Sequence, residues 1–311
     1  MARRIIIDTD PGQDDAVAIL TALASSELKV LGLTPVAGNV PLDKTVLNAR
    51  KVCEVAGRPD LAIYPGCDRP MVRELVTAEY VHGKTGLDGY DLPDPAMTVR
   101  DRHAIDFIID SARDSAPGGL TLCTLGPLTN IGMALVKAPD IRPNIREIVM
   151  MGGGHFEAGN VTGSAEFNIY VDPHAAHVVV QSGVPIVMAP LDVTHQATIR
   201  RSWLDRLDAV GTKVCQAAAG WLSFYERYDI ERYGDTGGPL HDPCVIAYLL
   251  QPELFQSKHV HVAVEIASEI TMGATAMDWW RMSGKAPNVT VLSKIDNEGF
   301  FALLLDRLSR L

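Results

Sequence analysis

Residues 4–15 read Arg4-Ile5-Ile6-Ile7-Asp8-Thr9-Asp10-Pro11-Gly12-Gln13-Asp14-Asp15. Ile5, Ile6 and Ile7 in unbroken succession read as a short strand buried on both faces. Pro11-Gly12 ends it, and residues 14–25 (DDAVAILTALAS) continue as a helix. A strand running directly into a helix opens a βαβ unit, and ligands of such units sit beyond the carboxyl ends of the strands. Asp8, Asp10, Asp14 and Asp15 crowd that one strand end. Helix capping and first-turn placement account for one or two of them. Four like charges so close repel unless a cation compensates or some are protonated. A hard divalent cation, which takes oxygen ligands, fits the set.

Outward from this stretch, short apolar runs alternate with helical patterns. Residues 4–7, 29–35, 61–64, 120–124, 147–150 and 185–189 read as strands. Residues 14–25, 42–56, 101–115, 127–137 and 172–182 read as helices. The alternation predicts an α/β fold: right-handed crossovers and an open, mostly parallel, Rossmann-like sheet flanked by helices. The chain, residues 1–311, reads as a single large domain. Its C-terminal part is more helical (200–228, 241–250, 296–310), with strand-like runs at 259–266 and 288–292. The stretch 83–98 (GKTGLDGYDLPDPAMT) reads as a long loop.

Composition sets outer bounds. Of 311 residues 47% are hydrophobic and 21% charged, enough for a sizeable core. A net charge of −10 opposes coating a nucleic acid or an anionic membrane. No run approaches the roughly 18 apolar residues of a membrane span. The three isoleucines behind Arg3-Arg4 are too few for a secretory leader, so a cytoplasmic location is expected. The cysteines (Cys53, Cys67, Cys123, Cys215, Cys244) are odd in number and scattered without a CxxC pair. That suits a reducing compartment rather than a disulfide framework or a zinc site.

An Asp-x-Asp after a first strand fits two carboxylate-metal enzyme classes. A haloacid-dehalogenase-type phosphatase would use Asp8 as nucleophile, but Pro11-Gly12 stands where that class has a small polar residue. In the other class, Asp8, Asp10, Gly12, Asp14 and Asp15 match the signature D-x-D-x-G-x-D-D. Further motifs follow in order: Ala37-Gly38-Asn39, Leu125-Gly126-Pro127-Leu128-Thr129-Asn130, Met151-Gly152-Gly153-Gly154 and Gly159-Asn160. Residues 165–173 (AEFNIYVDP) and His241-Asp242-Pro243 complete the series. On these motifs, over roughly residues 4–250, the sequence resembles the inosine–uridine-preferring nucleoside hydrolases, and within them the pyrimidine-preferring bacterial ribonucleoside hydrolases.

The resemblance implies Ca²⁺-dependent hydrolysis of a ribonucleoside N-glycosidic bond, with uridine or cytidine as the small-molecule partner. It implies Asp10, Asp15, Asp242 and the Leu125 carbonyl as metal ligands, Asp10 as the base that takes a proton from water, and Asp8 behind them. Asp14 and Asn168 would hold the ring diol with Asn39 nearby. Glu166 and Asn160 would hold the 5′ hydroxyl, and Met151 would pack beneath the sugar. His82, Tyr233 and His241 would pass a proton or hydrogen bond to the leaving base. Segment 78–93, with Gly83, Gly86 and Gly89, would act as a lid, and the chain would assemble as a dimer or tetramer. A purine or broad preference, a non-catalytic nucleoside-binding protein and the phosphatase stand as alternatives.

Local sequence alone is blander. Asp172-Pro173 and Asp242-Pro243 both read as helix N-caps, and only the resemblance singles out Asp242. Asn39 and Asn160, beside glycines, also read as turn residues. Asn168 lies in an apolar strand-like run, where an amide needs partners. His155, His174 and His195 read as structural or surface residues. Trp221, Phe224, Tyr225 and Tyr228 fall at core spacing on one helix.

Overall fold

The computed structural model describes residues 2–234 and 237–311, except for the side chains of Asp229, Arg232 and Tyr233. β1 (Arg3–Thr9) leads into α1 (Gln13–Leu23), β2 (Leu28–Pro35) and α2 (Leu42–Val55). After the one-turn α3 (Glu79–His82) come α4 (Ala104–Arg113), β3 (Leu120–Thr124), α5 (Thr129–Lys137) and β4 (Ile145–Met151). α6 (Phe167–Val171), α7 (Pro173–Val180), β5 (Ile186–Ala189) and α8 (Leu191–Thr194) follow. The C-terminal part adds α9 (Arg201–Ala209), α10 (Lys213–Tyr233), α11 (Pro243–Leu250) and β6 (Phe255–Val260). It closes with β7 (Val262–Val264), β8 (Thr275–Met277), β9 (Val289–Ile295) and α12 (Asn297–Leu308).

Seven strands form one sheet in the order β2-β1-β3-β4-β5-β9-β6. Pairing is parallel throughout except at the edge, where β6 runs antiparallel to β9. β7 and β8 pair separately. The chain leaves β1 toward β2 on one side and later returns to β3 on the other. That reversal opens a crevice at the carboxyl ends of β1 and β3.

The sheet is buried on both faces because its strands alternate between two cores. Ile5 and Ile7 of β1, with Val149 and Met151 of β4, face the core shared with α1, α10, α11 and α12. Ile6, Ile148 and Met150 face the opposite core, with α4, α5 and α7. Each fully buried isoleucine contributes about 1.5–3 kcal/mol of apolar burial.

Several local expectations are corrected. Residues 61–64 make a single parallel bridge, Leu33 to Ile63, rather than a strand. Pro65 follows at once and donates no backbone hydrogen bond. The helical reading over 200–228 splits into α9 and α10, because Gly211 adopts φ +77° and Thr212 caps the second helix through the Cys215 amide. The run 259–266 divides between β6 and β7. The strand-like stretch around Asn168 is the short helix α6, started by Glu166, whose carboxylate accepts the Asn168 and Ile169 amides.

Candidate active site

Asp10 emerges where β1 ends. Its Oδ2 accepts the Asn39 amide at 2.7 Å, while its Oδ1 is buried with no hydrogen-bond partner. Two backbone segments press on this carboxylate. A Cβ on Gly38 would lie 2.1 Å from Oδ2, and one on Gly126 would lie 2.2 Å from Oδ1. The glycines of Ala37-Gly38-Asn39 and Leu125-Gly126-Pro127 therefore have a steric purpose: they let the loops after β2 and β3 close on Asp10.

Asp14 and Asp15 occupy the first turn of α1. Asp15 is held on both oxygens, by the Thr9 hydroxyl at 2.5 Å, the Gly12 amide at 2.9 Å and the Asn39 side-chain amide at 3.3 Å. Asp14 Oδ1 is buried and unpartnered. Asp242 precedes α11 but does not cap it: its backbone is helical and its side chain accepts no amide there. Asp172, the other Asp-Pro read as a helix N-cap, caps α7 through the Ala175 amide at 2.9 Å and also binds Met71 and Thr129. The two pairs, alike in local sequence, thus have different uses.

One oxygen from each of Asp14, Asp15 and Asp242 lies within 4.8 Å of the other two. Asp10 stands outside this tight triplet, though its charge acts on Asp242. Among the described residues none of these carboxylates forms an ion pair with lysine or arginine. Burial, then mutual repulsion, pushes the Asp10 and Asp242 carboxyls well above the usual range and Asp14 up to about 7. Asp15 is raised as well. Buried, mutually repelling carboxylates with orphaned oxygens fit a divalent cation.

The neighbouring groups are ordered around this cluster. The Leu125 carbonyl, at the end of β3, accepts Asn168 Nδ2 at 2.7 Å and keeps a second lone pair. Asp8 lies behind, accepting the Thr34 hydroxyl at 2.6 Å and Asn130 Nδ2 at 2.9 Å, with burial raising its pKa to about 7.

A cavity opens over the cluster. Its floor includes Asp14, Asn39, Leu125, Met151, Asn168 and Asp242. Asn160 and Phe167 line one side, and the Asn160 side-chain oxygen accepts the Phe167 amide at 2.9 Å. Tyr80, Val81 and His82 of α3 also line it, with Tyr225, Tyr228, His195 and His241. His241 Nδ1 lies 2.7 Å from the Thr194 hydroxyl. Burial pushes His82 and His241 down to about 3. The structure brings together all the sequence-assigned residues except two. Glu166 stands behind the wall, its carboxylate taken by the Gly153, Asn168 and Ile169 amides, and burial raises it to about 7. Tyr233 ends α10, but its side chain lies outside the described residues.

Comparison with known proteins gives this arrangement a lineage. Residues 5–302 match the family described as inosine-uridine preferring nucleoside hydrolase. The chain belongs to that family. It is therefore a hydrolase of ribonucleoside N-glycosidic bonds. It is 44% identical over 309 residues to the pyrimidine-specific ribonucleoside hydrolase RihA of Escherichia coli, covering 99% of each chain. It is also 48% identical over 308 residues to an uncharacterized protein of Schizosaccharomyces pombe, covering 99% of each. Among solved structures, the purine-preferring ribonucleoside hydrolase of Gardnerella vaginalis superposes with TM-score 0.92 at 32% identity, over 99% of this chain and 98% of the other.

Sequence reasoning missed part of this nucleoside hydrolase's cavity. His195, read as structural or surface, lines it, with its ring 5.8 Å from that of His241. His195 ends the one-turn α8 that follows β5, near the carboxyl edge of the sheet. Of the aromatic row on α10, Trp221 is fully buried core, but Tyr225 and Tyr228 face the cavity.

Proposed function

We propose that this nucleoside hydrolase uses Ca²⁺ to cleave uridine and cytidine to free base and ribose. The observation that carries the reading is the buried Asp14–Asp15–Asp242 cluster, without a lysine or arginine partner among the described residues, at a cavity lined by Asp14, Asp242 and the histidines His82, His195 and His241. Asp10, Asp15, Asp242 and the Leu125 carbonyl would hold the ion, with Asp14 close enough to share in it. When bound, such an ion makes water more acidic and favours oxygen ligands such as a ribose diol.

The protein's own groups do the rest. Asp10 takes the proton from the attacking water. Its Oδ1 is unengaged, and its surroundings raise its proton affinity. Asp14 and Asn168, with Asn39 beside them, hold the ring hydroxyls as C1′ gains positive charge. Asn160 serves the 5′ end, Glu166 fixes the wall behind it through the Gly153, Asn168 and Ile169 amides, and Met151 packs beneath the sugar. Hydrogen bonds to the departing base fall to His82, Tyr233 and His241. Closure of segment 78–93 would exclude water from the reacting bond.

Pyrimidine preference is supported by the relatives at 43–44% identity, which are named pyrimidine-specific. A second reading, broad or purine preference, is favoured by Tyr225 and Tyr228 in the cavity, since aromatic rings pack on any base. Comparing kcat/KM for uridine, cytidine, inosine and adenosine decides between them. The two pyrimidines are expected to lead; equal values would select the broad reading, and no base release from any would reject hydrolysis. Two subsidiary readings accompany this one. Five free thiols support a reducing cytoplasm, and exposed Ile270, Trp280 and Met282 support self-association.

A further inference from the structure

We propose that Gln13 is the positioning residue for His82: it fixes which ring nitrogen carries hydrogen, so that His82 meets the nucleobase as a hydrogen-bond acceptor. Gln13 is fully buried in the first turn of α1, directly before Asp14 and Asp15. Its Nε2 donates to the backbone carbonyls of His82 at 2.9 Å and Asp88 at 3.0 Å. Carbonyl oxygens only accept, so these two bonds fix the amide's orientation. Its Oε1 then faces His82 Nδ1 at 2.7 Å. Oε1 also only accepts, so Nδ1 must carry the hydrogen.

A neutral imidazole has one N–H. With it spent on Gln13, Nε2 keeps a bare lone pair as the ring nitrogen available to the cavity that His82 lines. Burial favours the neutral ring. The ring also sits tightly on the turn before Gln13. A Cβ on Gly12 would come within 2.4 Å of His82 Nδ1, so glycine is needed there for the ring to dock. The same three Gln13 bonds tether residues 82 and 88 of segment 78–93 to the helix that carries the acidic cluster.

The chemistry follows. A bare nitrogen repels a carbonyl oxygen and accepts an N–H. Uracil offers N3–H and cytosine its 4-amino group, so both present a donor edge. His82 then accepts a hydrogen bond from the base, and the proton for the leaving group comes from elsewhere.

The kinetic arm of the test rests on the hydrolase reading above; the spectroscopic arm does not. Long-range ¹H–¹⁵N spectra of substrate-free, histidine-labelled protein should show His82, assigned by its loss in His82→Ala, with hydrogen on Nδ1 and none on Nε2. In Gln13→Met that pattern should be replaced by an Nε2–H or mixed form. Gln13→Met should also lower kcat/KM for uridine about tenfold, but less than about twofold in the His82→Ala background, since residues acting through one another are not additive. Hydrogen on Nε2 in the wild-type protein, or an equal loss in both backgrounds, overturns the proposal. If the wild-type protein releases no base from any nucleoside, the function falls, and the spectra alone still decide for or against Gln13.

Discussion

Asp10→Asn is expected to lower kcat for uridine at least about a thousandfold, within the range a general base contributes, and to leave the fold intact. Asparagine has the same shape, so it fits between Gly38 and Gly126 where nothing larger would. Its side-chain oxygen can still accept the Asn39 amide that now binds Oδ2. What it loses is the basic oxygen, the one that lies buried without a partner. At a pH high enough for the cluster to be ionised it also removes one negative charge from a set that repels itself, so there the metal-free variant should melt at or above the wild-type temperature. Turnover and thermal midpoint, measured together, separate the two effects. Unchanged kcat would remove Asp10 as the base, and a lowered midpoint would make it a structural residue.

The second large effect is on metal removal. Chelation should bring turnover to background, with recovery on adding Ca²⁺. It should also change how stability depends on pH. In the metal-free protein burial holds Asp14 near 7 against its ordinary value of 3.8, and Asp10, Asp15 and Asp242 are raised too. The folded state therefore keeps protons that the unfolded chain releases as pH rises above 4. That contribution to stability is complete below the unfolded value and is lost as pH rises through the raised folded-state values, about 7 for Asp14. Asp8 and Glu166, also raised to about 7 by burial, add to the same slope. A cation binds the deprotonated cluster, so its stabilisation grows with pH while the Asp8 and Glu166 contributions stay. An ion at a thousandfold excess over Kd adds about 4 kcal/mol, or several degrees in Tm. Melting curves with chelator and with Ca²⁺ should diverge more at pH 8 than at pH 5. Coincident curves at pH 8 would mean that no ion is held.

Much of this was legible in the chain because the signals were local. Ile5–Ile7 running into Asp8–Asp15 dictated a buried strand, a turn and a helix, and the repeated alternation dictated the parallel sheet. What was not legible depended on tertiary geometry. Asp242 and Asp172 share a local pattern, and only the packing of α11 against α1 frees the Asp242 carboxylate for the cluster. Asn168 looked extended because Phe167, Ile169 and Val171 are apolar, yet Glu166 starts a helix there. Tyr225 and Tyr228 have helical core spacing, and nothing in that spacing says that a cavity lies on their side. His195 became visible only once β5 and α8 placed it near the carboxyl edge of the sheet. Glu166 shows the reverse case, a residue of the motif whose carboxylate is engaged by three backbone amides.

Calorimetric titration of Ca²⁺ into metal-free protein at pH 8 goes directly to whether the acidic cluster holds an ion. One ion per chain is expected, with affinity reduced at least about a hundredfold in Asp242→Asn, since even changes outside a metal's ligands cost 10–100-fold. No binding by the wild-type chain, or undiminished binding by Asp242→Asn, would contradict it.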